Sequence, residues 1–280
     1  MIDLLPSEVE QQIIDGVAGF LAKELPLARL RPGPDGERSA DIGISAEQWH
    51  EIAGLGWFGL GIPEERGGAG FTVVAEMLVV REVGRYAVSP SISATIAAAC
   101  LAARADSELL AGLLAGERRV AFASRLCAGS DEYHLVDARG ADHLLVVDGM
   151  QAQLYGAAAF GEVRPVISLD DAVTLGRARL TAGARPLLQE ADSDIGHRAS
   201  LHNSAQLLGV AEGALTLSVE YAKVREQFGQ AIGSFQTIKH RCADMAVMAE
   251  AAYAQAFFAG LSQAGGQRDA AYQIAAAKVI

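Results

Sequence analysis

The chain has 280 residues, of which 51% are hydrophobic and only 6% aromatic, and a formal net charge of −11. A chain of this length can bury a large core and hold two or three domains. The shortage of aromatics leaves Ala, Leu, Val and Ile to build that core, a composition that favours closely packed helices. The acidic balance argues against a nucleic-acid surface, which needs clustered Lys and Arg; an anionic small ligand needs only a local basic rim.

Cys100, Cys127 and Cys242 are odd in number and form no C-x-x-C, so they read as ordinary buried thiols of a reducing compartment. The six histidines are scattered without metal spacing, and no metal site is expected. The N-terminus is acidic and lacks the basic region of a signal peptide, which makes a cytoplasmic location the expectation. Residues 86–103 carry no charge, yet Pro90, three serines and Thr95 interrupt them. That stretch is too polar for a bilayer span and reads as a buried helix, so no membrane partner is expected.

In chain order, Ser7-Glu8-Val9-Glu10 has the form of a capping box, with Val9, Ile13, Val17, Phe20 and Leu21 at helical spacing behind it. Prolines, glycines and charges over 26–43 read as a loop. Ser45-Ala46-Glu47-Gln48 caps the next helix, 54–70 is turn-rich, and further helices are expected near 73–87, 91–104 and 107–115. Short β-like runs follow at 120–126, 143–148, 151–155, 163–169 and 173–180. Helical periodicity returns from about Asp194 and continues through Ile238, Cys242, Met245 and Ala249; a last helix begins near Asp269 and runs to Ile280. The expected domains are a helical one (1–118), a reduced β domain (119–192) and a second helical one (193–280). Gly54-Leu55-Gly56-Trp57-Phe58-Gly59 fits G-x-G-x-x-G literally, but it follows a helix and runs towards a proline, so it reads as a turn rather than a dinucleotide fingerprint.

The densest signal is Arg225-Glu226-Gln227-Phe228-Gly229, followed by Phe235-Gln236. A guanidinium matches a phosphate in geometry and keeps its charge. Phe228 can anchor the turn in the core, Gly229 permits a left-handed residue after a helix, and Gln236 opens the next helix, where backbone N–H groups favour an anion. The spacing resembles the acyl-CoA dehydrogenase family of flavoenzymes, in which R-x-x-F-G…F/H-Q contacts the FAD of a neighbouring subunit. Residues 49–85 resemble the same family's first-domain signature. They contain the turn Gly56-Trp57-Phe58-Gly59-Leu60-Gly61-Ile62-Pro63-Glu64-Glu65, the turn Gly67-Gly68-Ala69-Gly70 and a helix carrying Glu82 and Gly84.

The resemblance implies a mostly α fold with a central small β domain: an N-terminal helical domain, a β-barrel domain and a C-terminal helical bundle. It implies FAD as cofactor, an acyl-CoA substrate and an electron-transfer flavoprotein as electron acceptor. Two family features are missing. Some members carry the catalytic glutamate at the position that falls on Ala199, and the following arginine position is Ser200. Asp192 and Asp194 lie close by but half a helical turn or more out of place. In other members the glutamate lies beyond residue 280, so a naturally short subunit and a fragment both stay open. The T-E-P-x-A-G-S-D segment that supports the flavin ring appears as Ser124-Arg125-Leu126-Cys127-Ala128-Gly129-Ser130-Asp131, and no aromatic-x-Thr strand is recognisable. No catalytic residue is therefore assigned. Arg225, Gln227, Phe228, Phe235 and Gln236 are the expected FAD contacts across an interface. The pattern resembles the short β subunit of an α2β2 enzyme of the steroid side-chain type, whose α partner supplies the glutamate. The alternatives are a scaffold of the same fold that binds no cofactor, and a self-sufficient enzyme whose remaining C-terminal region holds the base.

Overall fold

The computed structural model describes residues 5–31, 43–170, 172–191 and 194–279. Helix α1 (Glu8–Glu24) starts from a complete capping box between Ser7 and Glu10, and α2 (Ala46–Gly54) from one between Ser45 and Gln48. Residues 27–30 form one 3₁₀ turn in the expected loop; 32–42 of that loop, together with Asp192 and Ile280, lie outside the described residues. Helices α3 (Val73–Arg85), α4 (Ser91–Arg104) and α5 (Leu109–Leu114) follow. The literal G-x-G-x-x-G comprises the end of α2 and a 3₁₀ turn, with no strand before it.

The β region holds seven strands where five runs were expected: β1 (Val120–Arg125), β2 (Glu132–Val136), β3 (His143–Asp148), β4 (Gln151–Gly156), β5 (Arg164–Val166), β6 (Leu175–Arg179) and β7 (Leu188–Glu190). They form one sheet in the order β5-β6-β2-β1-β3-β4-β7, antiparallel except for β1 against β3. One face curls round Tyr133, Tyr155 and Phe160, whose rings meet edge to face at 5.3 and 5.9 Å. Val120, Leu145, Ala152 and Leu154 on the other face pack against α4. The uncharged stretch is that helix, with residues 91–103 all buried; its run of alanines lets the sheet approach closely.

The chain then forms α6 (Asp194–Val224), the small hairpin β8 (Glu226–Gln227) and β9 (Gln230–Ala231), α7 (Gln236–Ala264) and α8 (Ala270–Val279). Among the described residues no helix is long and apolar enough to cross a membrane, and no group of three His, Cys, Asp or Glu could hold a metal ion.

Helices α3 and α6 run side by side in the same direction. At their start the fully buried Glu76 receives Arg198 Nη1 on Oε2 at 2.5 Å and shares that oxygen with His202 Nε2 at 3.0 Å. Arg198 and His202 are four residues apart and so lie on one face of α6. The backbone of Gly61, in the N-terminal signature turn, lies over the pair: a Cβ there would sit 2.0 Å from Glu76 Oε1. Further along, Arg81 makes a bidentate pair with Glu212, both bonds 2.8 Å, and stacks on the Tyr253 ring of α7 at 4.7 Å. Between these two polar contacts the helix backbones approach closely, since a Cβ on Gly209 would come within 1.9 Å of the Arg81 carbonyl oxygen.

Burial alone would raise the Glu76 carboxyl, but Arg198 and His202 outweigh it and hold the group below the usual carboxylate range. Burial pushes the neighbouring Cys100 thiol far up, aided by the Glu76 charge, so its Sγ stays protonated and donates to Glu76 Oε1 at 3.6 Å.

Two predictions follow from this seam. Gly209→Ala forces the two backbones apart and is expected to cost about 1–3 kcal/mol or more, read from the urea midpoint. Glu76→Gln leaves the Arg198 cation buried without its counter-charge and is expected to cost about 3–5 kcal/mol. Because the folded carboxyl of Glu76 titrates below its unfolded value of about 4.3, its contribution is present at neutral pH and lost as pH falls below about 4. The acid limb of the stability curve is therefore steeper in the wild type than in Glu76→Gln; equal acid limbs would count against the pair.

Candidate functional site

A cleft of about 510 Å³ opens between the sheet and α6. Its size lies in the ordinary range for small-molecule sites. The sheet supplies the floor: Phe122 and Ser124 of β1, Val136 of β2, Val147 of β3 and the following turn at Gly149. Phe122 and Val136 are cross-strand partners, so both side chains point into the cleft. Helix α6 supplies the opposite wall through Ala199, Ser200, Asn203 and Gln206, which recur with helical period. Pro90, Ser93 and Lys278 of α8 complete the lining.

The edges of the cleft are pinned. Ser89 Oγ donates to Asp137 Oδ2 at 2.6 Å, while Asp137 Oδ1 accepts from the Thr174 backbone at 2.7 Å, which ties the entry to α4 to the ends of β2 and β6. Gln206 Nε2 donates to the Val88 carbonyl at 3.1 Å. Arg198, locked to Glu76 behind the wall, immediately precedes Ala199 and sets the rotation of α6. Position 199 thus faces the cleft with a methyl group.

No Asp or Glu lines the cleft among the described residues. Asp194 is committed elsewhere: it accepts from Arg104 at 2.6 Å, and Arg104 also holds Glu190 at 2.7 Å. No proton acceptor of carboxylate type is thereby offered to a ligand bound against the floor.

The second group of expected site residues is elsewhere on the surface. Phe228 and Gly229 form the two-residue turn between β8 and β9, with φ of +55° and +77°. Both central residues of such a turn need positive φ. The segment is therefore a hairpin turn and not a helix C-cap, and this corrects the expected role of Phe228. Its side chain is 93% exposed and anchors nothing in the core of this chain; its ring meets only Phe235, edge to face at 6.1 Å. Arg225 is exposed, and among the described residues its guanidinium has no acidic partner. Gln227 is also exposed, and its side chain donates to the neighbouring Glu226 carbonyl. Gln236 begins α7, whose N-cap Phe235 offers no side-chain acceptor to the first-turn N–H groups. The structure so brings Arg225, Gln227, Phe228, Phe235 and Gln236 into one projecting segment, separate from Ala199. Beside it, Leu217, Tyr221 and Val224 form an exposed apolar stripe on the last turns of α6.

Sequence reasoning missed Glu76, Arg198 and His202, whose only hint is the i, i+4 spacing of Arg198 and His202. It also missed the α6 wall beyond Ser200, since Asn203 and Gln206 belong to no motif.

Two family profiles match the chain: "Acyl-CoA dehydrogenase, N-terminal domain" over residues 7–114 and "Acyl-CoA dehydrogenase, C-terminal domain" over 197–280. The acyl-CoA dehydrogenase IpdE2 of Mycobacterium tuberculosis is 34% identical over 255 residues, which cover 90% of this chain and 75% of that protein. The acyl-CoA dehydrogenase FadE34 of the same organism is 34% identical over 249 residues, covering 83% of this chain and 35% of FadE34. Among solved structures, the Tcur3481-Tcur3483 steroid ACAD G363A variant superposes with a TM-score of 0.75 at 26% identity, over 97% of this chain and 82% of that one. The ChsE4-ChsE5 complex from Mycobacterium tuberculosis superposes with a TM-score of 0.75 at 21% identity, over 99% and 83%. The chain belongs to the acyl-CoA dehydrogenase family, oxidoreductases that act on CH–CH bonds.

Proposed function

We propose that this chain is one subunit of a mixed, α2β2-type acyl-CoA dehydrogenase, lending contacts to an FAD whose ring and catalytic glutamate lie in a related partner subunit. The carrying observation is the cleft wall at Ala199, where a methyl group stands and no carboxylate reaches the floor. A chain that removes a Cα proton needs a base within hydrogen-bond reach of it. In this reading the partner supplies that base.

The projecting segment fits the pyrophosphate end of the dinucleotide. Among the described residues the Arg225 guanidinium has no acidic partner, and the start of the 29-residue helix α7 has N–H groups without a side-chain cap; both suit a doubly charged anion. Phe228 sits at positive φ, costly for a residue of its bulk, and projects into solvent. Such strain is retained where a side chain is needed outside its own fold. The apolar stripe of Leu217, Tyr221 and Val224 next to it marks a surface that a second chain covers. When bound, FAD accepts the hydride that leaves Cβ of the thioester. This chain's part is to hold the phosphates, shape the interface and exclude water from it. The Tcur3481-Tcur3483 steroid ACAD, 26% identical to this chain, is named for two proteins and for steroids, which supports the pairing and a steroid-derived acyl-CoA as substrate; the acceptor in this reading is an electron-transfer flavoprotein.

A second reading, a scaffold of this fold without cofactor contact, leaves the unpaired Arg225 unexplained. Purification of the chain alone and with its partner separates the readings: the pair is expected to be yellow and active, the lone chain colourless and inactive. Flavin and turnover from the lone chain would overturn the proposal. In the complex, Arg225→Ala is expected to weaken FAD retention about tenfold or more, the effect of losing one charge-assisted hydrogen bond. Phe228→Asn, which tolerates the turn's positive φ, is expected to weaken assembly without lowering the melting temperature of the chain. Unchanged flavin content in Arg225→Ala would favour the scaffold.

A further inference from the structure

The buried carboxylate of Glu76 and its two partners take no part in the chemistry proposed above, and as a source of stability they are poorly built. Glu76 and His202 have no solvent exposure, yet Arg198 Nε and His202 Nδ1 are buried without a hydrogen-bond partner among the described residues. A buried ion pair that leaves polar atoms unmatched recovers little of its desolvation cost, and apolar side chains of similar volume often do as well or better. What the cluster does supply is direction. Arg198 and His202 stand one turn apart on α6 and meet the same oxygen, Glu76 Oε2. Both contacts exist together in one placement of α6 along α3.

The rest of the seam repeats itself with each turn. A Cβ on Gly209 would meet the Arg81 carbonyl oxygen at 1.9 Å, and one on Gly213 the Arg85 carbonyl oxygen at 2.7 Å. Glycines and carbonyls are thus both spaced by one turn, so a slide of α6 by four residues lays one glycine near where the other lay. One direction brings Ala205 onto the Arg81 carbonyl, and the other brings Leu217 onto that of Arg85, a misfit that helices relieve by parting. The polar partners, by contrast, change outright. In the first slide Glu76 faces Asp194 and Arg198, and Arg81 exchanges Glu212 for Leu208. In the second Glu76 faces His202 and Gln206 with no guanidinium, and Arg81 faces Thr216. We propose that Glu76, Arg198 and His202 are positioning residues that fix the register of α6 on α3, and that they contribute this specificity in place of stability. Helix α6 is 31 residues long and leads directly into Arg225. A one-turn slide therefore displaces the hairpin segment by about 6 Å, far beyond the reach of any hydrogen bond made in the native register. The register claim stands on the seam alone; its consequence for flavin rests on the proposed contact at Arg225.

The test replaces the whole cluster by apolar side chains, Glu76→Leu with Arg198→Met and His202→Leu, in the full-length chain. Spin labels on Glu65→Cys and Lys223→Cys, both exposed positions towards opposite ends of the seam, report the placement of α6, with Cys127 and Cys242 changed to Ser. The unsubstituted cluster is expected to give one distance. The apolar variant is expected to keep its urea midpoint or raise it, yet to show a second distance differing by about 6 Å. The exchange variant, Arg198→His with His202→Arg, keeps both donors on the same carboxylate and is expected to return the single distance. In the complex with the partner subunit, the apolar variant is expected to retain FAD at least tenfold more weakly. A single unchanged distance in the apolar variant would overturn the inference, whether its midpoint rises or falls, since packing then sets the register unaided. Failure of the apolar variant to fold would overturn it too, because the cluster would then be an ordinary source of stability, and so would a second distance in the exchange variant. A second distance in the apolar variant with full flavin retention leaves the register role standing and counts against the proposed contact at Arg225.

Discussion

A carboxylate with no solvent exposure, shared by a guanidinium and an imidazole, holds helix α6 against helix α3, and the cleft takes its shape from that contact. Removing three such polar groups from water is expensive, and their mutual attraction offsets the cost only with good geometry and full pairing. Here Arg198 Nε and His202 Nδ1 are buried without a partner among the described residues, and the seam gains further hold from close backbone contact at Gly209 and from the bidentate Arg81–Glu212 pair. Arg198 is therefore not free to rotate, and neither is the residue after it. Ala199 faces the sheet because its neighbour faces Glu76.

This arrangement also explains the N-terminal signature turn. Gly61 lies directly over the Glu76–Arg198 pair, where no side chain fits. The turn belongs to the support of the cleft wall, since it packs on the Arg198 side chain that precedes Ala199. It seals a buried charge that the rest of the bundle is built around.

Much of the architecture was legible in the sequence because its signals are local. The two capping boxes, the uncharged stretch that became α4 and the return of helical period at Asp194 each rest on residues within one or two turns of one another. Strand β2 was not, since Glu132, Tyr133 and His134 alternate in burial but carry a charge and a ring nitrogen in place of an apolar run. Strand β7 has only three residues and exists through its partner β4. The Glu76 cluster was illegible for a different reason: its partners are 122 and 126 residues away. The motif at Arg225 to Gln236 was visible as a motif, but not the positive φ of Phe228, which turned an expected core anchor into an outward-facing ring. His134 and Arg177 meet only through strand register, which the sequence does not state.

The proposed division of labour gives one chain two faces with different tasks. In that proposal the hairpin end offers a neighbour Arg225 and apolar side chains, while the described residues lining the cleft include no Asp or Glu. A structure of the assembled complex with FAD tests this most directly. The account predicts Arg225 within hydrogen-bond distance of the pyrophosphate of an FAD whose ring lies in the partner subunit. A flavin ring seated between Ser124 and Ala199 of this chain, with Arg225 in solvent, would contradict it.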